Sequence, residues 1–226
     1  MDRIEDLFRT GKLRAGSRLP PETQLAASLG VSRHTLREVL KSLNLFGILR
    51  SHRGDGTYVQ HSSSGLLAKA IHLCLLLEEV SFLDLLDTRI AIEPVLAAMA
   101  ADKAGRNDLE LMRREVRGMA TSQGDLDRYV GHEIAFHNQI MQAADSPVLR
   151  SVLEALAGPL LEARRTVTGA RTNRQNVRLH ARILEAIEAG DAAAARQRML
   201  DHLMDNRKYY LRFHRRGVRP APGTAK

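Results

Sequence analysis

A single cysteine, Cys74, leaves no partner for an internal disulfide, so this chain must hold its fold by packing rather than by covalent bridges. Tryptophan is absent and aromatic residues make up only 4%, while alanine and leucine dominate, a composition that favours helix over sheet. No stretch reaches the roughly 18 apolar residues that a membrane span needs. The opening "MDRIEDLFRTGK" carries acids and no apolar run, so it does not read as a signal peptide. These absences exclude a disulfide scaffold and a membrane protein, and they predict a cytoplasmic, mainly α chain.

Two domains are expected, because 226 residues exceed one typical domain and can bury two cores. The net charge of +8 is unevenly spread: residues 1 to 60 carry +4, residues 207 to 226 carry +7, and the middle is slightly acidic. A basic head suggests an anionic partner. The small polar run "HSSSG", 61 to 65, reads as a linker between a domain at 1–60 and a helical domain at 66–214. The end, 215–226, contains Pro and Gly without periodicity and reads as a basic disordered tail.

In the first domain "RIEDLFRTG" and "PPETQLAASLG" predict two short helices, the second bounded by Pro20 and Pro21 before it and Gly30 after it. Ser32 then caps a third, in which Leu36, Val39, Leu40 and Leu43 form one apolar stripe. Arg33, His34, Thr35 and Arg37 are left at its N-terminal turn or outer face. A helix anchored this way can lie in a major groove, where arginine pairs with guanine O6 and N7 and the Ser32 and Thr35 hydroxyls reach phosphates or base edges. "GILRSHRGDGTYVQ" supplies two short β runs around Gly54 and Gly56, a wing with Arg53 near its tip for a minor groove or phosphate.

The stretch "GKLRAGSRLPPETQLAASLGVSRHTLREVL" resembles the N-terminal winged-helix domain of the GntR family of transcription regulators, and the likeness runs over residues 4 to 60. The resemblance implies double-stranded operator DNA as the partner, with Arg33, Arg37 and Gly54 at the contact. Thr23 stands where several relatives carry an arginine, so the operator sequence does not carry over.

In the second domain "FLDLLDTRIAIEPVLAAMAA" is similar to the opening helix of the FadR-type ligand-sensing domain, also called FCD. Arg89 and Glu93, four apart, allow two readings: a surface pair, or an inward arginine that clamps a carboxylate effector. "HEIAFHNQIMQAA" places Glu133 and His137 on one helical face, while His180 and His202 fall on the apolar stripes of two further helices. His132, five residues before His137, points about 140° away and is set aside. Such residues converging in a bundle could hold a divalent ion such as Zn, Ni or Mn. The metal-binding FadR-type pattern, D-x-x-F-H followed by two histidines, implies Glu133, His137, His180 and His202 as the ligands, with Glu133 replacing the usual Asp.

The expected molecule is therefore an N-terminal winged helix-turn-helix domain joined to an all-α antiparallel bundle. It would act as a homodimer on an inverted repeat, controlled by a small carboxylate that meets Arg89 and the metal. A metal-free dimerisation or acyl-ligand domain is the alternative. A metal-dependent hydrolase fits less well, since no H-E-x-x-H or Ser/His/Asp arrangement is present.

Overall fold

The computed structural model describes residues 2–60, 64–78, 80–122, 124–158 and 174–214. The expected tail at 215–226 and the first three linker residues lie outside this set. The chain divides into two compact units, Met1–Leu77 and Glu78–Lys226.

The first unit contains α1 (Asp2–Arg9), α2 (Glu22–Leu29), α3 (Arg33–Leu45), strands β1 (Leu49–His52) and β2 (Gly56–Val59), and α4 (Ser64–Leu77). Gly30 ends α2 in the left-handed conformation, φ 61°, and its N–H and that of Val31 return to carbonyls of the last turn. Ser32 starts α3 at once: its Oγ accepts from the Thr35 N–H at 3.0 Å. Leu36 and Leu43 of the predicted stripe are fully buried, with Val39 and Leu40 packed behind them. The strands pair antiparallel from Leu49 with Val59 to His52 with Gly56. Residues 16 to 19 run along β2, linked by hydrogen bonds between Gly16 and Val59, Ser17 and Val59, and Leu19 and Thr57.

Ser64 and Gly65, placed in the linker expected at 61–65, already belong to α4, and that helix is grouped with the first unit. The physical reason lies in the sequence after Gly65, "LLAKAIHLCLLL", which carries apolar residues on every face around Lys69 and His72 and so shows no helical stripe to mark its start.

The second unit comprises α5 (Phe82–Lys103), α6 (Arg106–Thr121), α7 (Leu126–Ala143), α8 (Pro147–Ala155), α9 (Arg174–Glu188) and α10 (Ala192–His214). A capping box between Ser81 and Asp84 fixes the start of α5. Helix α5 packs chiefly on α10 and α7, α6 on α7, and α9 on α10 and α6. Short connections at 122–125 and 189–191 make α6–α7 and α9–α10 antiparallel pairs. The core between them contains Leu96, Met112, Tyr129, Phe136, Ile140, Ile183 and Met199.

Candidate DNA-reading face and buried polar cluster

The DNA-reading candidates are exposed side chains of the first unit. Ser32, Arg33, His34, Thr35 and Arg37 are all exposed on the first turns of α3, because the Leu36 stripe faces inward. Ser32 Oγ is partly committed, since besides capping the helix it lies 2.8 Å from Thr35 Oγ1. Arg37 is tethered by Glu22 at the start of α2, whose Oε2 accepts from Nε at 3.2 Å and Nη2 at 2.9 Å. Sequence periodicity gave no sign of this pair, which joins two helices.

Arg53, Gly54 and Asp55 form the turn of the wing, all exposed. Gly54 has φ 83°, and nothing lies within 4 Å of where a Cβ would stand, so the tip is open. Gly56 is closed instead: a Cβ there would meet Arg18 Nε at 2.7 Å. The exposed Arg18 thus lies across the root of the wing, a cation that the motif reading did not single out.

The second unit brings together the four side chains expected from separate helices. Glu133 and His137 of α7, His180 of α9 and His202 of α10 are at most 3% exposed, and one ligand atom from each lies within 4.8 Å of the others. Ligand atoms around a tetrahedral zinc stand about 3.3 Å apart, so the group is open by an ångström or so relative to a closed site. The His137, His180 and His202 rings lie with centroids 4.3 to 5.4 Å apart. Phe136 seals one side against His137 and His180.

At least one of the buried ring nitrogens has the character a cation requires. His180 Nδ1 donates to the Asn176 carbonyl at 2.8 Å, which leaves its Nε2 with the lone pair, and that atom is buried without a hydrogen-bond partner. His202 Nδ1 is likewise buried without one, while Asn206 Nδ2 stands 3.4 Å from its Nε2. Burial first, and the neighbouring His137 second, push the His180 pKa down to about 4. Burial and the adjacent His180 hold His202 well below the usual imidazole range. Both rings are therefore neutral near pH 7, as a metal ligand must be. The residues fit a divalent ion.

Arg89 decides between its two readings. It is 3% exposed, so the surface-pair reading is corrected: the guanidinium points inward from α5. Its Nε donates to Glu93 Oε1 at 2.5 Å, and Nη2 lies 3.4 Å from His137 Nε2. Burial opposes its charge, but Glu93 and, more remotely, Glu133 outweigh that and raise its pKa. His132 takes another route, pairing through Nδ1 with the buried Glu115 at 2.7 Å.

A winged helix-turn-helix in one unit and a buried polar cluster in a helical second unit define a ligand-sensing transcription regulator. Residues 1–59 match bacterial regulatory proteins of the gntR family, and residues 84–205 match the FCD domain. The chain belongs to the GntR family and is a DNA-binding transcriptional regulator with an FCD ligand-sensing domain, not an enzyme. It is 34% identical over 212 residues to the putative L-lactate dehydrogenase operon regulatory protein of Escherichia coli (strain K12), covering 89% of this chain and 81% of that protein. It is 28% identical over 203 residues to the HTH-type transcriptional regulator LutR of Bacillus subtilis (strain 168), covering 87% of this chain and 93% of that one. Among solved structures, Streptococcus agalactiae GntR shares the fold with a TM-score of 0.65 at 24% identity, over 92% of this chain and 97% of that one. Among the described residues no helix is long and apolar enough to cross a membrane.

Proposed function

We propose that this chain is a FadR-type regulator that works in the cytoplasm as a homodimer and reads an inverted-repeat operator. Its affinity for that operator is set by a small organic acid bound where Glu133, His137, His180 and His202 hold a divalent metal, one of Zn, Ni or Mn. The observation that carries this reading is the pair of buried ring nitrogens, His180 Nε2 and His202 Nδ1, without hydrogen-bond partners in a cluster that also contains two carboxyl groups and one guanidinium.

Neutral imidazoles and a carboxylate supply the donors, and a bound ion would offer a Lewis-acidic coordination position to the effector's carboxylate. Arg89 adds a planar fork that can take a carboxylate in two hydrogen bonds. One similar protein is named for an L-lactate dehydrogenase operon. That name puts small hydroxy acids first among the carboxylates to test. On the DNA side, Arg33, His34, Thr35 and Arg37 would face base edges, with Ser32, Arg53 and Gly54 toward the backbone or minor groove. If the effector favours one arrangement of the dimer, a coupling of about 1 to 3 kcal/mol changes operator affinity roughly 5- to 150-fold.

The test is metal content per chain after purification without chelator, with operator titrations at fixed salt in the presence and absence of L-lactate. Bound metal in wild type, its loss in His180→Ala, and loss of the lactate response in the same variant are expected. A wild type that emerges metal-free, cannot be reloaded with Zn, Ni or Mn, and melts identically with and without chelator would overturn the metal-dependent reading.

A further inference from the structure

Glu93 is not among the four clustered ligand candidates, yet it touches one of them. It is 4% exposed on α5, one turn after Arg89, and its carboxylate meets both Arg89, which also donates from Nη2 to Oε2 at 3.3 Å, and His137. Oε1 accepts from Arg89 Nε at 2.5 Å, and Oε2 lies 2.6 Å from His137 Nδ1. A carboxylate paired with a guanidinium can only accept, so the proton of that second bond belongs to His137 Nδ1. With Nδ1 as the donor, Nε2 is the ring nitrogen left for a ligand bond, and it is the atom that stands 3.4 Å from Arg89 Nη2.

An imidazole is rigid, so fixing the direction of one N–H fixes the other nitrogen as well. His180 is set in the same manner by the Asn176 carbonyl at 2.8 Å. The difference is chemical. The Asn176 acceptor is a neutral backbone group, whereas Glu93 is anionic and makes the histidine it holds a more basic ligand.

We infer that Glu93 is a positioning residue of the metal centre, one that holds His137 with Nε2 as its ligand atom and ties that ligand to Arg89. The inference rests on the metal reading proposed above. Because Glu93 bonds both groups, a carboxylate effector that engages Arg89 would also act on the orientation of His137. That is a direct mechanical link between effector recognition and the ion.

The experiment compares wild type, Glu93→Gln, Glu93→Ala and the double variant Arg89→Met/Glu93→Ala. Zinc affinity is read by competition with a chromophoric chelator, and ring 15N spectra are recorded on chelated protein. Glu93→Gln keeps the size and one acceptor oxygen, so it guards against a variant that fails to fold. Zinc affinity should fall about 10-fold in Glu93→Gln and about 100-fold in Glu93→Ala. The His137 ring should show protonated Nδ1 in wild type and a mixture of tautomers in Glu93→Ala.

If Glu93 served only as the counter-charge of Arg89, the double variant would regain wild-type affinity. Positioning predicts that it does not. Full recovery in the double variant, or zinc binding by Glu93→Gln equal to wild type, overturns this inference while leaving the metal reading intact. A wild type that takes up no zinc overturns both.

Discussion

Arg37→Ala should separate folding from DNA recognition, because the two contributions of this side chain differ in size. Its side chain is 52% exposed, and its ion-pair partner, Glu22, is 40% exposed at 2.9 Å. Ion pairs this open contribute about 0 to 1 kcal/mol. Once alone, Glu22 remains the first residue of α2, where the amide dipoles favour a negative charge. Alanine also has the higher helix propensity, by a few tenths of a kcal/mol at most. The folding cost is thus below about 1 kcal/mol, a shift of at most roughly 4–8 °C in the melting of a small unit. A bidentate contact to a guanine is worth about 1 to 3 kcal/mol, or roughly 5- to 150-fold in affinity. Fluorescence anisotropy with an operator fragment and with scrambled DNA at fixed salt measures the second quantity, and thermal melting the first. The expected result is a large loss on operator with a small loss on scrambled DNA. Equal losses on both, with a salt slope smaller by about one, would show a phosphate contact instead, and unchanged operator affinity would remove Arg37 from the reading face altogether.

Glu133→Asp should retain bound metal, since it restores the acid of the related pattern, whereas Glu133→Gln should weaken binding by removing a formal charge; elemental analysis per chain measures both. An operator with two half-sites related by a two-fold axis should bind a dimer, and light scattering that finds a monomer on one half-site at full affinity would refute the proposed symmetry. For chelated protein the folded-state pKa of His180, about 4, lies below its ordinary value of 6.5, so the unfolded chain binds more protons between those limits. Stability from this group is complete above about pH 6.5 and falls by up to 1.4 kcal/mol per pH unit as the pH drops toward 4. Urea midpoints between pH 7.5 and 5 that stay level would contradict a buried neutral imidazole.

The first unit was readable because its signals are local. Gly30 stops α2 and Ser32 caps α3 two residues later, and the Leu36 to Leu43 spacing says which face is inside. The wing followed from glycines that must take positive φ, Gly54 at 83° and Gly56 at 123°. Periodicity could place Glu133, His137, His180 and His202 on inward stripes, but it cannot say how far apart three helices hold them. Their convergence came from the family pattern. The Glu22–Arg37 and Glu93–His137 pairs had no such pattern behind them, since each joins residues of different helices whose packing no single stripe defines. Arg89 shows the limit most clearly: an i, i+4 pair with Glu93 looks the same in sequence on a wet surface and in a core.

Burial changes what that pair can do. On the surface Arg89 and Glu93 would be screened and nearly neutral in energy, but inside they leave few other ways to satisfy a charge. Each ring nitrogen left unmatched in a dry interior costs about 1 to 3 kcal/mol. His180 Nε2 and His202 Nδ1 would together carry a sizeable part of the ~5 to 15 kcal/mol by which a domain is stable unless a ligand met them. An apolar core of the same volume would avoid that penalty, and so would a cation at the centre of the cluster. Phe136 packs against His137 and His180, and the core of the unit is apolar, so a metal or an anionic effector bound there would interact strongly. On the proposed metal reading, the stability of this core would depend on what is bound, which is the property a ligand sensor needs.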